Sequence, residues 1–240
     1  MGRDEGLHVL ATQGWLANTS EEFRGLFLSM ARWRRFEAGR PVTLAGDEAD
    51  DIIGLASGVV AFTSAMGHAD NPVSHLARAV FWMGYGPILM GGPRVISAEA
   101  RSEVWVASFP KARVLPLLEE STRWWRFFMR LLGEYGNVSS MVAGDLLIPE
   151  NERRLAAVLS RFGGLRPLGN GDTGLSSAGT PVLVPVTQAE LAAAANMSRN
   201  SAGSILHGFA RRGLIKTGYR GILITDPAGL LAVLDLRVAR

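Results

Sequence analysis

The chain has 240 residues, 48% of them hydrophobic, which is enough apolar material for packed cores and excludes a chain disordered throughout. It contains no cysteine, which excludes disulfides, thiolate zinc sites and thiol redox sensing. Of the net charge of +3, the segment from Thr187 to the C-terminus carries +4, with seven basic and three acidic residues, as is typical of a region that binds a polyanion.

Residues 21–110 have the pattern of an antiparallel β-barrel or jelly roll, preceded by an N-terminal extension over residues 1–20. Short apolar runs between residues 32 and 109 are separated by turn glycines, spaced roughly as in small barrels and sandwiches. Together with the helices described next, this pattern predicts an α+β fold.

Residues 111–145 are predicted to form a long dimerisation helix. Apolar side chains recur at helical spacing from Leu115 to Leu132, and the pattern continues to about residue 142, with a second helix over 149–162. The aromatic stripe of Trp124, Phe127 and Phe128 fits either a domain core or the seam of a dimer. The sequence leaves both alternatives open.

Residues 146–240 are predicted to form a winged helix-turn-helix domain. Thr187 and Glu190 have the spacing of a capping box and mark the start of one helix. Asn196 lies in the turn that follows, since asparagine tolerates a positive φ. Ser198 is positioned to cap a second helix that extends to about Arg211.

The second helix is predicted to be the recognition helix, over residues 198–211, in the major groove of double-stranded DNA. Its first turn presents Arg199, which can read guanine, and Asn200, which can read adenine. A basic hairpin at residues 216–224 follows as a wing. The predicted DNA-contacting residues are Thr187, Ser198, Arg199, Asn200, Ser201, Ser204, Lys216 and Arg220.

The alternative for this segment is an ordinary pair of amphipathic helices with solvated charges. A single helix pair favours that interpretation. Here a capping box, a turn, a second cap, an exposed Arg-Asn pair, a glycine stop and a basic hairpin follow one another in order. Agreement among these independent features favours DNA binding.

At this point the sequence resembles the Crp/Fnr family of transcription regulators. The matching segments are T-Q-A-E-L at 187–191, M-S-R-N-S-A-G at 197–203, G-L-I at 213–215, F-x-A-G at 36–39, A-G-D at 45–47, S-G-V-V at 57–60 and G-x-P-R at 91–94. The resemblance implies a cyclic-nucleotide-binding-type barrel, a homodimer, and promoter binding that recruits or blocks RNA polymerase.

The phosphate cassette departs from the pattern of cyclic-AMP-binding members of that family. Those members have a glutamate for the ribose hydroxyl, and an arginine followed by a hydroxyl residue for the cyclic phosphate. This chain has Gly84-Tyr85 and, later, Arg94-Val95, so the arginine remains while the carboxylate and the hydroxyl are missing. Lost polar partners cost about 1–3 kcal/mol each, which argues against ordinary cyclic AMP binding.

Three hypotheses follow from these departures. The first is a homodimeric DNA-binding regulator whose barrel senses an effector other than cyclic AMP, or none. The second is an effector-gated switch for a small molecule such as cyclic di-GMP, and the third is a protein-interaction scaffold of the same fold.

Several classes of function find no support in the sequence. No nucleophile–base pair, phosphate-binding glycine loop or metal-ligand spacing is present, so we expect no enzyme, cofactor or metal site. No apolar run reaches the roughly 18 residues of a membrane span, and the chain begins with polar residues. We therefore expect a cytoplasmic protein without a membrane partner.

Overall fold

The computed structural model describes residues 1–64, 72–167, 180–219 and 221–234. The chain divides into two compact units. The first comprises Met1–Asn71 and Ala77–Gly136, and the second comprises Pro72–Leu76 and Asn137–Arg240.

The first unit opens with helices whose apolar sides are buried. They are α1 (Arg3–Thr12), α2 (Gly14–Ala17) and α3 (Glu21–Ser29). Trp15 is 2% exposed and donates its indole N–H to the Phe127 carbonyl oxygen at 2.6 Å. Residues 1–20, expected as an extension, therefore contribute helices and core side chains to this unit.

Antiparallel strands form the centre of the fold. They are β1 (Arg32–Phe36), β2 (Pro41–Thr43), β3 (Asp51–Ser57), β4 (Val60–Ser64), β5 (Val73–Ala77), β6 (Trp82–Met83), β7 (Ile96–Ala100) and β8 (Val104–Pro110), with α4 (Tyr85–Met90) between β6 and β7. In the described residues they make two four-stranded sheets, ordered β1-β8-β3-β6 and β2-β7-β4-β5. Val60, Val104 and Val106 belong to one buried apolar cluster of these strands.

The predicted long helix is interrupted, contrary to the continuous apolar periodicity. α5 (Lys111–Glu120) and α6 (Trp125–Leu146) are separated by a 3₁₀ turn at Thr122–Trp124. The interruption follows Ser121, whose backbone is extended at φ −150° and ψ 108°. The aromatic stripe is a domain core, since Trp124, Phe127 and Phe128 are all buried in the first unit.

The second unit contains a helix pair beside a small antiparallel sheet. Its elements are α7 (Asn151–Phe162), β9 (Val182–Val184), α8 (Gln188–Ala194), α9 (Arg199–Arg211), β10 (Ile215–Gly218), β11 (Gly221–Ile224) and α10 (Pro227–Ala232). The strand order is β10-β11-β9. Leu159, Leu206 and Phe209 are buried, as the amphipathic pattern predicts.

The α+β class is confirmed, with an antiparallel sheet domain, a long helix and a C-terminal helix-turn-helix. Among the described helices, none combines the length and the apolar character that crossing a membrane requires.

Candidate nucleic-acid interface and effector cassette

Helix α8 has well-formed caps at both ends. The Glu190 N–H donates to the Thr187 hydroxyl at 3.1 Å, and the Thr187 N–H donates to the Glu190 carboxylate at 2.7 Å. At the other end Asn196 adopts φ 49°, and the Met197 N–H donates to the Ala192 carbonyl. This is a Schellman ending, so the turn between α8 and α9 has a defined geometry.

Helix α9 begins at the residue that the sequence predicts. The Ser198 hydroxyl accepts from the Ser201 N–H at 3.1 Å, and the two hydroxyl oxygens lie 2.9 Å apart. Arg199, Asn200 and Ser204 are exposed along one side of the helix. Among the described residues, no hydrogen bond or ion pair engages the side chain of Arg199 or Asn200, so both are available to a ligand.

The predicted wing is an antiparallel hairpin that starts soon after α9. Gly213 ends the helix at φ 74°, with the Leu214 N–H donating to the Phe209 carbonyl. Lys216 is exposed on β10, opposite Leu223 of β11. Arg220, the other predicted wing contact, lies outside the described residues.

A buried charge network that the sequence analysis missed joins α6 to α7. The Arg161 Nε donates to the Asp145 Oδ2 at 2.7 Å, and both side chains are 1% exposed. Arg166 donates to the second carboxylate oxygen, and Arg161 also donates to the Ser74 carbonyl oxygen at 2.7 Å. Burial lowers the pKa of Arg161, an effect that Asp145 opposes.

The effector cassette brings the predicted arginine against a carboxylate of the protein. The Arg94 Nη2 donates to the Asp51 Oδ1 at 2.7 Å and to the Asp51 carbonyl oxygen at 3.2 Å. Gly84, at φ 82°, leaves the space that this pair needs, because a Cβ there would lie 2.6 Å from the Arg94 Nη1. Val95 is 51% exposed and is not enclosed with them.

Aromatic packing occupies the cassette on the side of Tyr85. Tyr85 is 8% exposed, and its ring centroid lies 5.1 Å from that of Tyr135 on α6. The Tyr135 hydroxyl accepts from the Trp82 N–H at 2.5 Å. Burial, reinforced by the charge of Glu134, raises the pKa of Tyr85, so its phenol stays neutral where a ribose-binding carboxylate is expected.

Two regions of the chain match known domain families. Residues 33–121 match the cyclic nucleotide-binding domain, and residues 153–233 match the Crp-like helix-turn-helix domain. No curated protein matches the chain by sequence.

Solved structures share the fold at low sequence identity. FixK2 from Bradyrhizobium japonicum is 14% identical, with a TM-score of 0.67 over 85% of this chain and 96% of that chain. The c-di-GMP responsive global regulator CLP of Xanthomonas campestris is 18% identical, with a TM-score of 0.65 over 86% and 100%. A CRP-family transcriptional regulator from Thermus thermophilus is 22% identical, with a TM-score of 0.63 over 84% and 96%.

At these identities the structural likeness speaks for the fold, and the family follows from the matched domains and their order. With a cyclic nucleotide-binding domain followed by a Crp-like helix-turn-helix domain, the chain belongs to the Crp/Fnr family of DNA-binding transcription regulators, which are not enzymes.

Proposed function

We propose that the chain is a homodimeric regulator that reads double-stranded DNA by inserting α9 into the major groove. The observation that carries this proposal is the N-terminal turn of α9, where Arg199 and Asn200 are exposed and have no partner among the described residues. Both ends of the preceding turn are fixed by caps, so the two side chains start from a rigid base.

The chemistry of these side chains indicates what they read. Arginine pairs with the O6 and N7 of guanine, and asparagine pairs with the N6 and N7 of adenine. Ser204 lies one helical turn beyond Asn200 and is exposed beside the same face. Lys216, Ser198, Ser201 and Thr187 are suited to phosphate contacts, and Arg220 is proposed as a phosphate contact from the sequence alone.

The exposed face of α6 supports a symmetric dimer. Its members alternate at spacings of four and three residues, and all are exposed: Met129, Gly133, Gly136, Ser140, Ala143 and, just beyond the helix, Leu147. The opposite face carries Leu131, Val138 and Asp145, which are buried. A seven-residue repeat on an unburied face is the pattern of a helix that pairs with a second helix.

Substituting Gly136 with Glu tests this seam. Nothing lies within 4 Å of a Cβ at Gly136, and glutamate favours helix over glycine, so the protomer folds normally. In the dimer two copies of the charge enter the seam, and we expect dimer dissociation to increase about a hundredfold, because like-charge juxtaposition costs several kcal/mol. Sedimentation equilibrium measures this change.

The control is Asn137→Glu, which adds the same charge at the adjacent exposed position, beside the seam. It should leave the dimer largely intact. Equal dissociation constants for the two variants would contradict a seam along this face of α6.

The cassette supports a sensor domain that does not respond to cyclic AMP. Arg94 is already neutralised by Asp51, so a cyclic phosphate has to displace a buried ion pair before it gains a contact. The hydroxyl partner is replaced by Val95, and Tyr85 replaces the ribose-binding carboxylate. We propose that the domain takes an effector of different chemistry or works without one.

Isothermal titration calorimetry with cyclic AMP, cyclic GMP and cyclic di-GMP separates these possibilities. We expect no saturable heat with cyclic AMP up to millimolar concentration. Tight binding of cyclic AMP would overturn the role given to Asp51. Saturable binding of cyclic di-GMP would instead support a ligand-gated regulator.

The proposed function is tested by selecting duplexes from a random library with the full-length dimer. We expect an inverted repeat whose half-sites lie about 34 Å apart, one helical turn, since a two-fold dimer places its recognition helices in successive major grooves. Failure to enrich any sequence at low salt would refute the proposal. RNA polymerase is the partner that such a regulator recruits or blocks at the promoters it occupies.

A further inference from the structure

Arg154, near the start of α7, holds two segments of the second unit together with a single guanidinium group. Its Nη1 donates to the Ile148 carbonyl oxygen at 2.6 Å and to the Pro149 carbonyl oxygen at 3.3 Å. Its Nε donates to the Ala195 carbonyl oxygen at 2.8 Å, and its Nη2 donates to the Asn151 side chain. One residue thus joins the loop between α6 and α7 to the turn of the helix-turn-helix.

Ala195 is the residue at which α8 ends. The Schellman ending gives partners to the Ala192 and Ala193 carbonyls, through the N–H groups of Met197 and Asn196. The Ala195 carbonyl, at the negative end of the helix dipole, receives its hydrogen bond from Arg154. A cation at this point both satisfies the carbonyl and fixes where the turn lies.

The position of this turn determines the position of the base-reading side chains. Two residues, Asn196 and Met197, separate Ala195 from Ser198, the cap of α9. Arg199 and Asn200 follow at once in the first turn of that helix. A shift of the turn is therefore passed directly to the groups that we propose to contact bases, where a displacement of about 1 Å is enough to weaken a bidentate contact.

We infer that Arg154 is a positioning residue for sequence recognition. It holds the helix-turn-helix turn at a fixed place relative to the α6–α7 loop, and its guanidinium is engaged by protein acceptors rather than offered to DNA. This inference rests on the proposed function, because it concerns how α9 is presented to bases.

The guanidinium group is required for this role. Arginine presents its N–H donors in a planar fork and reaches acceptors in several directions at once. Lysine keeps the charge but has one compact ammonium group, which does not span the loop and the turn in the same way. Arg154→Lys therefore separates positioning from charge.

The test compares Arg154→Lys with Arg153→Lys in the full-length dimer. Arg153 is the adjacent residue of α7 and donates to the Leu234 carbonyl oxygen at 3.1 Å, away from the turn. For each protein the dissociation constants for the selected operator and for a random duplex are measured at one salt concentration, together with the thermal midpoint. The ratio of the two constants is the readout, because a merely structural role does not change it in a folded protein.

We expect Arg154→Lys to reduce this ratio about tenfold, comparable to the effect of one mismatched base pair. Binding to the random duplex should be unchanged, because it depends on charge, which lysine retains. Arg153→Lys should keep the wild-type ratio. Should Arg154→Lys fail to fold, Asn151→Ala, which removes an exposed partner of the guanidinium, is expected to lower the ratio by a smaller factor.

An unchanged ratio in folded Arg154→Lys, or an equal fall in Arg153→Lys, would overturn the inference. If Arg154→Lys is unfolded, an unchanged ratio in Asn151→Ala has the same meaning. Failure of the proposed function is distinct, because the wild-type protein itself would then prefer no sequence.

Discussion

Replacing Arg199 with Ala is expected to remove most of the preference for the operator. The side chain is exposed in the first turn of α9 and has no partner among the described residues, so its removal leaves the fold of the second unit intact. A bidentate arginine–guanine pair provides about 1–3 kcal/mol of discrimination, and a dimer loses one pair in each half-site. The ratio of operator to random-duplex affinity should fall by about one to two orders of magnitude.

Lys216→Ala is the matched control, since it also removes one exposed positive charge per protomer. A phosphate contact carries no sequence information, so both operator and random affinities should fall by similar factors. The salt dependence of binding should weaken by about one contact per protomer. Fluorescence anisotropy across a salt series measures both quantities for each variant.

The two variants differ in what each outcome means. If Arg199→Ala weakens the operator and the random duplex equally, Arg199 contacts phosphate and another residue reads the base. If Lys216→Ala alters the preference among operator variants, the wing takes part in reading sequence. Either result would contradict the division of roles proposed for α9 and the hairpin.

The caps of the helix-turn-helix were predictable from sequence because they are local. Thr187 bonds with Glu190, Ser198 bonds with Ser201, and Gly213 ends α9, all within a few residues along the chain. Local hydrogen bonding determines where such helices begin and end, so a short pattern of residue types is sufficient. The antiparallel sheet domain followed for a similar reason, from the spacing of its turn glycines.

The pairings that modify the effector cassette were not predictable in this way. Asp51 and Arg94 are 43 residues apart, and no pattern in either segment identifies the partner. The interruption between α5 and α6 was also missed, because apolar residues continue across Ser121 at spacings that suit an unbroken helix. In both cases the deciding contact is tertiary and leaves no periodic trace in the sequence.

The α6–α7 connection combines a local and a distant requirement. Asp145 lies in the last turn of α6, where a negative charge is unfavourable beside the helix dipole. Arg161 and Arg166 compensate for it from 16 and 21 residues further along the chain. The carboxylate is therefore stable in this position only while both arginines are in place.

Replacing Asp145 with Asn is expected to cause a large loss of stability. The substitution keeps the shape of the side chain but leaves the Arg161 guanidinium, 1% exposed, without a counter-charge. Removing one partner of a buried ion pair costs about 3–5 kcal/mol, because the remaining charge stays out of water. Urea unfolding of the full-length dimer, followed by fluorescence, measures the change in unfolding free energy.

The control is Glu152→Gln, which breaks the ion pair with Arg212, whose side chains are 48% and 50% exposed. Solvent screens that pair, so the expected loss is about 1 kcal/mol or less. Arg161→Met should cost less than Asp145→Asn, because Asp145 retains Arg166 as its partner. A loss for Asp145→Asn no larger than that of Glu152→Gln would mean that water reaches the network, and that the α6–α7 connection is not held by buried charge.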